Sequence, residues 1–465
     1  LEEIHINPKV VVLGAGSLFF GRQCIWQMVH SEHLNKGTLA LVDTNEERLN
    51  KLVKLARMVV EANKVDLKIE GSVDRRKVLH DADFVVLSFA EDTVKYRGID
   101  CAVSEKYGIR MCSGDTIGPG GIFRAMRELP VIMDCVQDIE KICPDAWVIN
   151  YINPSTVNGI ALKRYAPKLK SFALCDSHHM PHKKIIYAER AGIIGDKREY
   201  TEEINRKFDV RIAGVNHFTW LLKAEYEGKD VVPAIAESMK QSAETETVGG
   251  DTGAKALFND KISYQLYEIF GYIPTCTAHT KEYVPYWQGL GKLKDQIPPL
   301  SIWETEDRYK RHEYMWTEID SFLSGETPIE EYMTRFGPDH ATDIIENMVA
   351  GLGKPFYINT FNQGAVTNMN NDAFLELLCE VTMDGVRPLP VGEMPRGIRG
   401  MQELLLDTHE LTAEAVVEAD REKLRRAMMT DPLVNSIADG DQIIAELLEL
   451  EKDVIPEHWY TKSVV

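Results

Sequence analysis

The chain opens with an uninterrupted apolar run, Val10-Val11-Val12-Leu13 after Lys9, closed by Gly14-Ala15-Gly16. A short β-branched run without polar alternation, bounded by glycine, is the pattern of a strand covered on both faces. The pattern recurs at Leu39-Ala40-Leu41-Val42 before Asp43, at Phe84-Val85-Val86-Leu87, at Trp147-Val148-Ile149-Asn150 and at Phe172-Ala173-Leu174. Helical-period segments lie between these runs, the clearest from Arg124 to Ile142. Strands alternating with helices predict an α/β fold, a Rossmann-type doubly wound parallel sheet. Beyond residue 200 the periodicity loosens. Val210–Gly214 reads as a strand, while Thr252–Phe270, Asp372–Leu378 and Glu403–Met429 contain helical runs. Segment 287–335 reads as a surface helical insertion, and Glu410–Leu450 as an acidic amphipathic helix pair or assembly surface. With no repeat or low-complexity linker, the expected organisation is a Rossmann domain over 1–200 and a C-terminal α+β domain over 201–465.

Composition narrows the function classes. Of 465 residues, 44% are hydrophobic and 27% charged, which is ordinary for a folded globular chain. The 72 acidic against 53 basic residues leave a net charge of -19, which repels phosphate backbones and anionic lipids. No uncharged apolar run approaches the roughly 20 residues that span a bilayer. Eight cysteines are too sparse for a disulfide scaffold, and the N-terminus lacks a basic-then-apolar leader pattern. The expectation is a cytoplasmic enzyme with no nucleic-acid or membrane partner.

The first apolar run carries a nucleotide signal. Glycine at positions 14 and 16 lets a strand turn sharply and brings the backbone close to a pyrophosphate, while the next helix offers its N-terminus to the anion. Ser17 is placed to cap that helix. Asp43 ends the second strand, where a carboxylate can accept both ribose hydroxyls; this favours NAD+ over NADP+, whose 2′-phosphate would meet a like charge. The third glycine of the fingerprint would fall at 19, where the chain has Phe19, so helix and strand should sit farther apart or be held by the ring.

Several later segments differ from those of an ordinary dehydrogenase. They are Ser113-Gly114-Asp115-Thr116-Ile117-Gly118-Pro119-Gly120-Gly121, Asn150-Tyr151-Ile152-Asn153-Pro154, Leu174-Cys175-Asp176, Gly214-Val215-Asn216-His217-Phe218, Glu282-Tyr283-Val284-Pro285-Tyr286 and Asn359-Thr360-Phe361-Asn362-Gln363-Gly364. In this order, from about residue 9 to about residue 395, the series resembles glycoside hydrolase family 4, the NAD- and manganese-dependent glycosidases. The resemblance implies a Rossmann domain related to lactate and malate dehydrogenases, closed by an α+β domain. It also implies a chemistry outside the two-carboxylate scheme. NAD+ oxidises the sugar C3 hydroxyl, the C2 proton becomes acidic and is removed, and the C1–O bond breaks by elimination. Water then adds and the hydride returns, so hydrolysis consumes no NAD+.

The resemblance also implies roles for residues of this chain. Cys175 and His217 match the pair that holds Mn2+, a hard ion that a thiolate alone would not select. Read without the family, Cys175 is a small buried hydrophobe at a strand end and His217 a hydrogen-bonded core histidine sooner than metal ligands. His178, His179 and His182 mimic a zinc cluster, but no cysteine pair completes it. Tyr283 lies where the family places its base, with Tyr286 the neighbouring alternative. Asp176 resembles the acid that protonates the leaving oxygen in members cleaving α-linked 6-phosphoglucosides; its plainer reading is a helix N-cap, and the two roles can coexist. Asn153 would bind sugar hydroxyls and also serve the cofactor, Asp115 would lie near the nicotinamide or leaving group, and Asn216 would orient His217 or touch substrate. Arg127, three residues after Arg124, is expected on an exposed face with a structural role.

The expected activity is an α-glycosidase requiring NAD+ and Mn2+, acting on neutral α-hexosides as a homodimer or homotetramer. α-Glucuronides, α-galacturonides and 6-phospho-α-glucosides are the alternative substrates. A lactate/malate-type 2-hydroxyacid dehydrogenase would need an arginine clamp and a His–Asp pair, and would have no use for Cys175. A catalytically dead NAD-binding sensor would need none of Cys175, Asp176, His217 and Tyr283.

Overall fold

The five apolar runs of the N-terminal half form strands β1 (Lys9–Leu13), β2 (Thr38–Val42), β4 (Phe84–Leu87), β5 (Trp147–Asn150) and β6 (Lys170–Ala173), and β3 (Lys68–Ser72) joins them. The structure is a computed structural model describing residues 7–175, 178–244, 260–292 and 305–461; the side chains of 18–20, 277 and 278 also lie outside the description. The six strands are parallel in the order β3-β2-β1-β4-β5-β6, the doubly wound arrangement whose ligand crevice opens where the order reverses, between β1 and β4. Helices α1 (Leu18–His30), α2 (Glu46–Asn63), α3 (Thr93–Lys106), α4 (Gly118–Ile142) and α5 (Ser155–Tyr165) lie between the strands in sequence. Asn45 caps α2 by accepting from the Arg48 N–H, and Leu49, Leu52, Val53, Ala56 and Val59 form its buried stripe at helical spacing.

The sheet does not stop at β6. Strands β7 (Phe208–Gly214), β8 (Trp220–Tyr226), β9 (Lys229–Asp230), β10 (Ile273–Pro274), β11 (Pro355–Phe361), β12 (Phe374–Val381) and β13 (Val386–Pro388) extend it, antiparallel, in the order β6-β11-β12-β7-β8-β10, with β13 on β12 and β9 on β8. The register aligns Ala173, Asn359, Glu376 and Gly214 in one row across four neighbouring strands. Cys175 lies two residues beyond the first of these and His217 three beyond the last.

One expectation changes. Asp372–Leu378, expected to be helical, lies largely in β12; its leucines are covered on both faces, which removes the polar alternation that marks a strand. The helical run expected over Thr252–Phe270 is helical over Asp260–Phe270, and 252–259 lies outside the described residues. The expected insertion includes the helix Thr305–Ser324, which rests on α2 and α3. The C-terminal helices Arg396–Glu418, Arg421–Thr430 and Ile437–Leu450 pack on α3, α4 and α5 through faces such as Ile398, Leu405 and Val416. No helix among the described residues is long and apolar enough to cross a membrane.

Candidate active site

The glycine turn after β1 is built for close approach. Gly14 has φ +89°, and a Cβ there would fall 2.6 Å from the Phe89 backbone. The N–H groups of Gly14 and Ala15 both donate to the Val42 carbonyl at 2.9 Å, so the turn hangs on the end of β2. Gly16 N donates to Asp43 Oδ2 at 2.7 Å, and a Cβ on Gly16 would meet that oxygen at 2.6 Å. Asp43 Oδ1 accepts from Asn45 N at 2.9 Å. Ser17 occupies the N-cap position, but its side chain makes no capping bond, contrary to expectation. The first N–H groups of α1 thus have no serine acceptor, which suits an anionic ligand. Turn, carboxylate and open helix end together fit a dinucleotide. The Phe19 ring lies outside the description.

Asp115, in the loop before α4, is a buried hub, 5% exposed. Its Oδ2 accepts from Arg124 Nη1 and Asn153 Nδ2, each at 3.0 Å, and faces Arg97 Nη2 at 3.4 Å; Oδ1 accepts from Ser113 Oγ at 2.8 Å. Burial alone would raise its carboxyl, but the guanidiniums of Arg97 and Arg124 hold it well below the usual carboxylate range. Asp115 is therefore an ionised orienting group. Arg127 is not exposed, as expected, but 3% exposed, paired with Asp100 at 2.8 Å and Glu451 at 2.6 Å. The three-residue spacing from Arg124 does put both on one side of α4, but α3 and the C-terminal helices cover that helix.

His217 lies in a β-turn closed by the Phe218 N–H donating to the Val215 carbonyl at 2.8 Å, and its φ of +65° is left-handed. Gln402 clamps this turn from the helix Arg396–Glu418. Its Oε1 accepts from Val215 N at 2.6 Å and its Nε2 donates to Phe218 O at 2.8 Å. The His217 ring stacks on His279 with centroids 3.9 Å apart and planes 8° from parallel. Burial, with His279 second, pushes His217 well below its ordinary pKa, leaving the neutral imidazole that ligates metals. Glu282 Oε2 accepts from the N–H groups of Cys112, Ser113 and Gly114 at 3.0, 3.0 and 3.2 Å.

Among the described residues, His217 Nδ1, His279 Nδ1 and Glu282 Oε1 are buried with no hydrogen-bond partner. Ligand atoms of Asp115, His279 and Glu282 all lie within 4.8 Å of one another. This is a hard nitrogen and oxygen set that suits Mn2+. Neither His279 nor Glu282 was assigned a role; the sequence signals were the place of Glu282 in the segment with Tyr283 and its i, i+3 spacing from His279.

Tyr283 is 2% exposed and stacked on Phe218, and its hydroxyl donates to the Asn216 carbonyl at 3.1 Å. Burial pushes its phenol well above the ordinary value, against a hydrogen bond with Thr116. Tyr286 is 47% exposed. Cys175 is the one cysteine of the eight that is not fully buried, and none is in a disulfide. Its carbonyl is in hydrogen-bond contact with His340 Nδ1 at 3.2 Å. Asp176 lies outside the described residues. His178 joins Glu376 Oε1 through Nδ1 at 2.5 Å and Thr275 Oγ1 through Nε2 at 2.9 Å, whereas His179 pairs with Asp343 at 2.9 Å. These two histidines therefore serve different partners and not a shared zinc. Asn216 Nδ2 donates to Glu376 Oε2 at 3.0 Å, and Glu376, on β12, was not anticipated as a site residue.

Two models of one family match the chain: family 4 glycosyl hydrolase over residues 9–189, and the family 4 glycosyl hydrolase C-terminal domain over residues 212–434. An alpha-galactosidase of Bacillus subtilis (strain 168) is 28% identical, the alignment covering 97% of this chain and 99% of the relative. An alpha-galacturonidase of the same strain is 26% identical over 95% of this chain and 97% of its own length. In fold, the chain is similar to a 6-phospho-alpha-glucosidase from gut microorganisms, solved in complex with NAD and Mn2+; the TM-score is 0.78 at 21% identity, covering 97% and 99% of the two chains.

Proposed function

We propose, from the premise that this chain belongs to family 4 of the glycosyl hydrolases and is a glycoside hydrolase, that it is an NAD+- and Mn2+-dependent α-glycosidase of neutral α-hexosides. The observation that carries the reading is the buried cluster of Asp115, His279 and Glu282, whose ligand atoms lie within 4.8 Å of one another, with His217 stacked on His279 and its Nδ1 without a hydrogen bond. A two-carboxylate glycosidase needs one carboxyl protonated at working pH, and Asp115 is held ionised by Arg97 and Arg124.

The Gly14–Gly16 turn and Asp43 would hold NAD+, and Cys175 and His217 the metal, with His279 and Glu282 alongside. When bound, the nicotinamide supplies reversible hydride transfer at the sugar's C3 and the metal supplies a Lewis acid for the hydroxyls beside it. Asp115, fixed by two arginines, and Asn153, bonded to it, orient the sugar hydroxyls. Tyr283 is assigned the C2 proton; its hydroxyl donates to the carbonyl of Asn216 in the turn that carries His217, and its buried phenol, raised in the protein alone, would need the positive charge of a bound metal or nicotinamide beside it to act as a base. Asp176 is assigned the proton delivered to the departing oxygen.

The neutral glycone is supported by where the guanidiniums point. Arg97 and Arg124 face Asp115, and Arg127 faces Asp100 and Glu451, so these cations hold the protein's own carboxylates and not a sugar phosphate or uronate. The relative named alpha-galactosidase agrees with that reading. The net charge of -19 supports the absence of nucleic-acid and anionic-membrane partners, and a cytoplasmic homodimer or homotetramer completes the reading. The test is nitrophenol release from aryl α- and β-glycosides of glucose, galactose, glucuronate, galacturonate and 6-phosphoglucose, with and without NAD+ and Mn2+. Turnover of a neutral α-glycoside that needs both, without net NADH, is expected. Turnover independent of the cofactors overturns the mechanism, and turnover confined to an anionic glycone overturns the substrate.

A further inference from the structure

Glu376 stands on β12, deep in the sheet, with 1% of its surface exposed. A carboxylate buried in a strand costs several kcal/mol unless hydrogen bonds satisfy it, and an apolar side chain in its place is often neutral or better for stability. Its two oxygens are divided between two loops. Oε1 meets His178 Nδ1 at 2.5 Å, three residues after Cys175, and Oε2 accepts from Asn216 Nδ2 at 3.0 Å, one residue before His217. The sheet register explains the reach. Glu376 is paired with Gly214 on one side and Asn359 on the other, and Asn359 is paired with Ala173, so the carboxylate sits in the row from which both loops depart. Those loops leave strands three places apart in a sheet whose strands lie about 4.8 Å from one another. Without a tie, the approach of the two side chains would depend on the loops alone.

The far side of each loop is secured separately. His179 pairs with Asp343 and His340 contacts the Cys175 carbonyl, while Gln402 clamps the turn of His217. Thr275 Oγ1 also joins His178 Nε2, at 2.9 Å, to Thr219 Oγ1, at 2.6 Å, just past the turn of His217, so Glu376 is the charged side chain that touches both loops and Thr275 the neutral one.

We propose that Glu376 is a positioning residue that fixes the spacing of Cys175 and His217, so that the metal site is preformed before substrate arrives. The proposal rests on the reading of those two residues as the metal ligands. Outer partners of metal ligands are worth about 10–100-fold in metal affinity.

The test is Mn2+ affinity, by electron paramagnetic resonance titration of the full chain, alongside NAD+ affinity by calorimetry. Glu376→Ala is expected to weaken Mn2+ about 10–100-fold and leave NAD+ affinity unchanged, because the glycine turn lies five strands away. Glu376→Gln is expected to restore Mn2+ affinity to within about threefold of the wild type, since an amide can span the same two partners once His178 changes tautomer. If Glu376→Ala fails to fold, Glu376→Asp, one methylene too short to span both loops, is read the same way. Wild-type Mn2+ affinity in Glu376→Ala or Glu376→Asp, or equal losses of Mn2+ and NAD+, overturns the positioning role. Cys175→Ser and His217→Ala are measured in parallel. If both bind Mn2+ as the wild type does, the ligand reading itself fails and the role of Glu376 falls with it.

Discussion

Replacing Gln402 by alanine probes the turn that presents His217. The side chain is fully buried, and its two bonds, 2.6 Å from Val215 N and 2.8 Å to Phe218 O, end on residues that are themselves 0% exposed. Stranding a buried N–H and a buried C=O costs about 1–3 kcal/mol each, so the loss is about 2–6 kcal/mol. The left-handed backbone of His217 stores about 1–3 kcal/mol that the clamp now restrains, and its release would offset part of that loss by letting the turn relax away from its present geometry. At about 2.1 cal/mol/K per residue, the unfolding entropy of 465 residues is about 1 kcal/mol/K, so the thermal midpoint should fall by about 1–5 °C once that offset is taken. Scanning calorimetry of the cofactor-free protein measures that fall, and a Mn2+ titration should register weaker binding in the same variant. A midpoint within 1 °C of the wild type together with unchanged Mn2+ affinity would refute the idea that Gln402 maintains the turn.

Gly16→Ala should lower NAD+ affinity at least about tenfold in a calorimetric titration, because the new Cβ falls 2.6 Å from Asp43 Oδ2 and must push that carboxylate off the turn; wild-type affinity would mean the turn does not face the dinucleotide. Burial pushes the carboxyl of Glu128 up to about 7, against Arg124 and Arg127. A carboxyl raised in the folded state contributes stability below its unfolded pKa of about 4.5 that is lost as pH rises through about 7, some 3 kcal/mol in all. The midpoint of Glu128→Gln relative to the wild type should therefore climb by about 3 °C between pH 4.5 and pH 8, and a flat difference would contradict the burial argument. Asp176→Asn should slow alkyl glycosides far more than nitrophenyl glycosides in initial-rate assays, since a good leaving group needs no proton; equal losses would remove the acid assignment.

The parallel half of the sheet was legible because a strand buried on both faces is apolar wherever it is covered by the core, as the central runs of β1, β2, β4 and β5 are; of β6 only Phe172 and Ala173 read that way, since Lys170 and Ser171 precede them. β3 was not, since Lys68-Ile69-Glu70-Gly71-Ser72 is an edge strand with only one neighbour and little of it buried. In β12 the same double burial that made β1 obvious hid the strand. Leucines at 375, 377 and 378 around one glutamate fit a helix as readily as a strand over so short a window. With the strand hidden, nothing in the sequence singled out Glu376. The nucleotide turn and Asp115–Asn153 could be found because their segments carry a recognisable order of residues. His279 and Glu282 could not, because what places them in the site is their approach to Asp115 and to the backbone of Cys112 to Gly114, far away in sequence. The exposed face expected for Arg127 failed for a related reason. Charge spacing on a helix locates a face but does not say what will lie against it.

The pairing of β6 with β11 also bears on how the chain is made. Ribosomes extend a chain at about 5–20 residues per second, so the stretch from Ala173 to Asn359 takes roughly 10–40 s to emerge. Throughout that interval the parallel half presents β6 as an open edge, with the helix Arg396–Glu418 that will cover α4 and α5 not yet synthesised. An unpaired edge is a template for pairing with another chain. Nascent copies on a crowded messenger would be most vulnerable in this window, and slower translation through it should lower the yield of soluble protein more than the same slowing after residue 361.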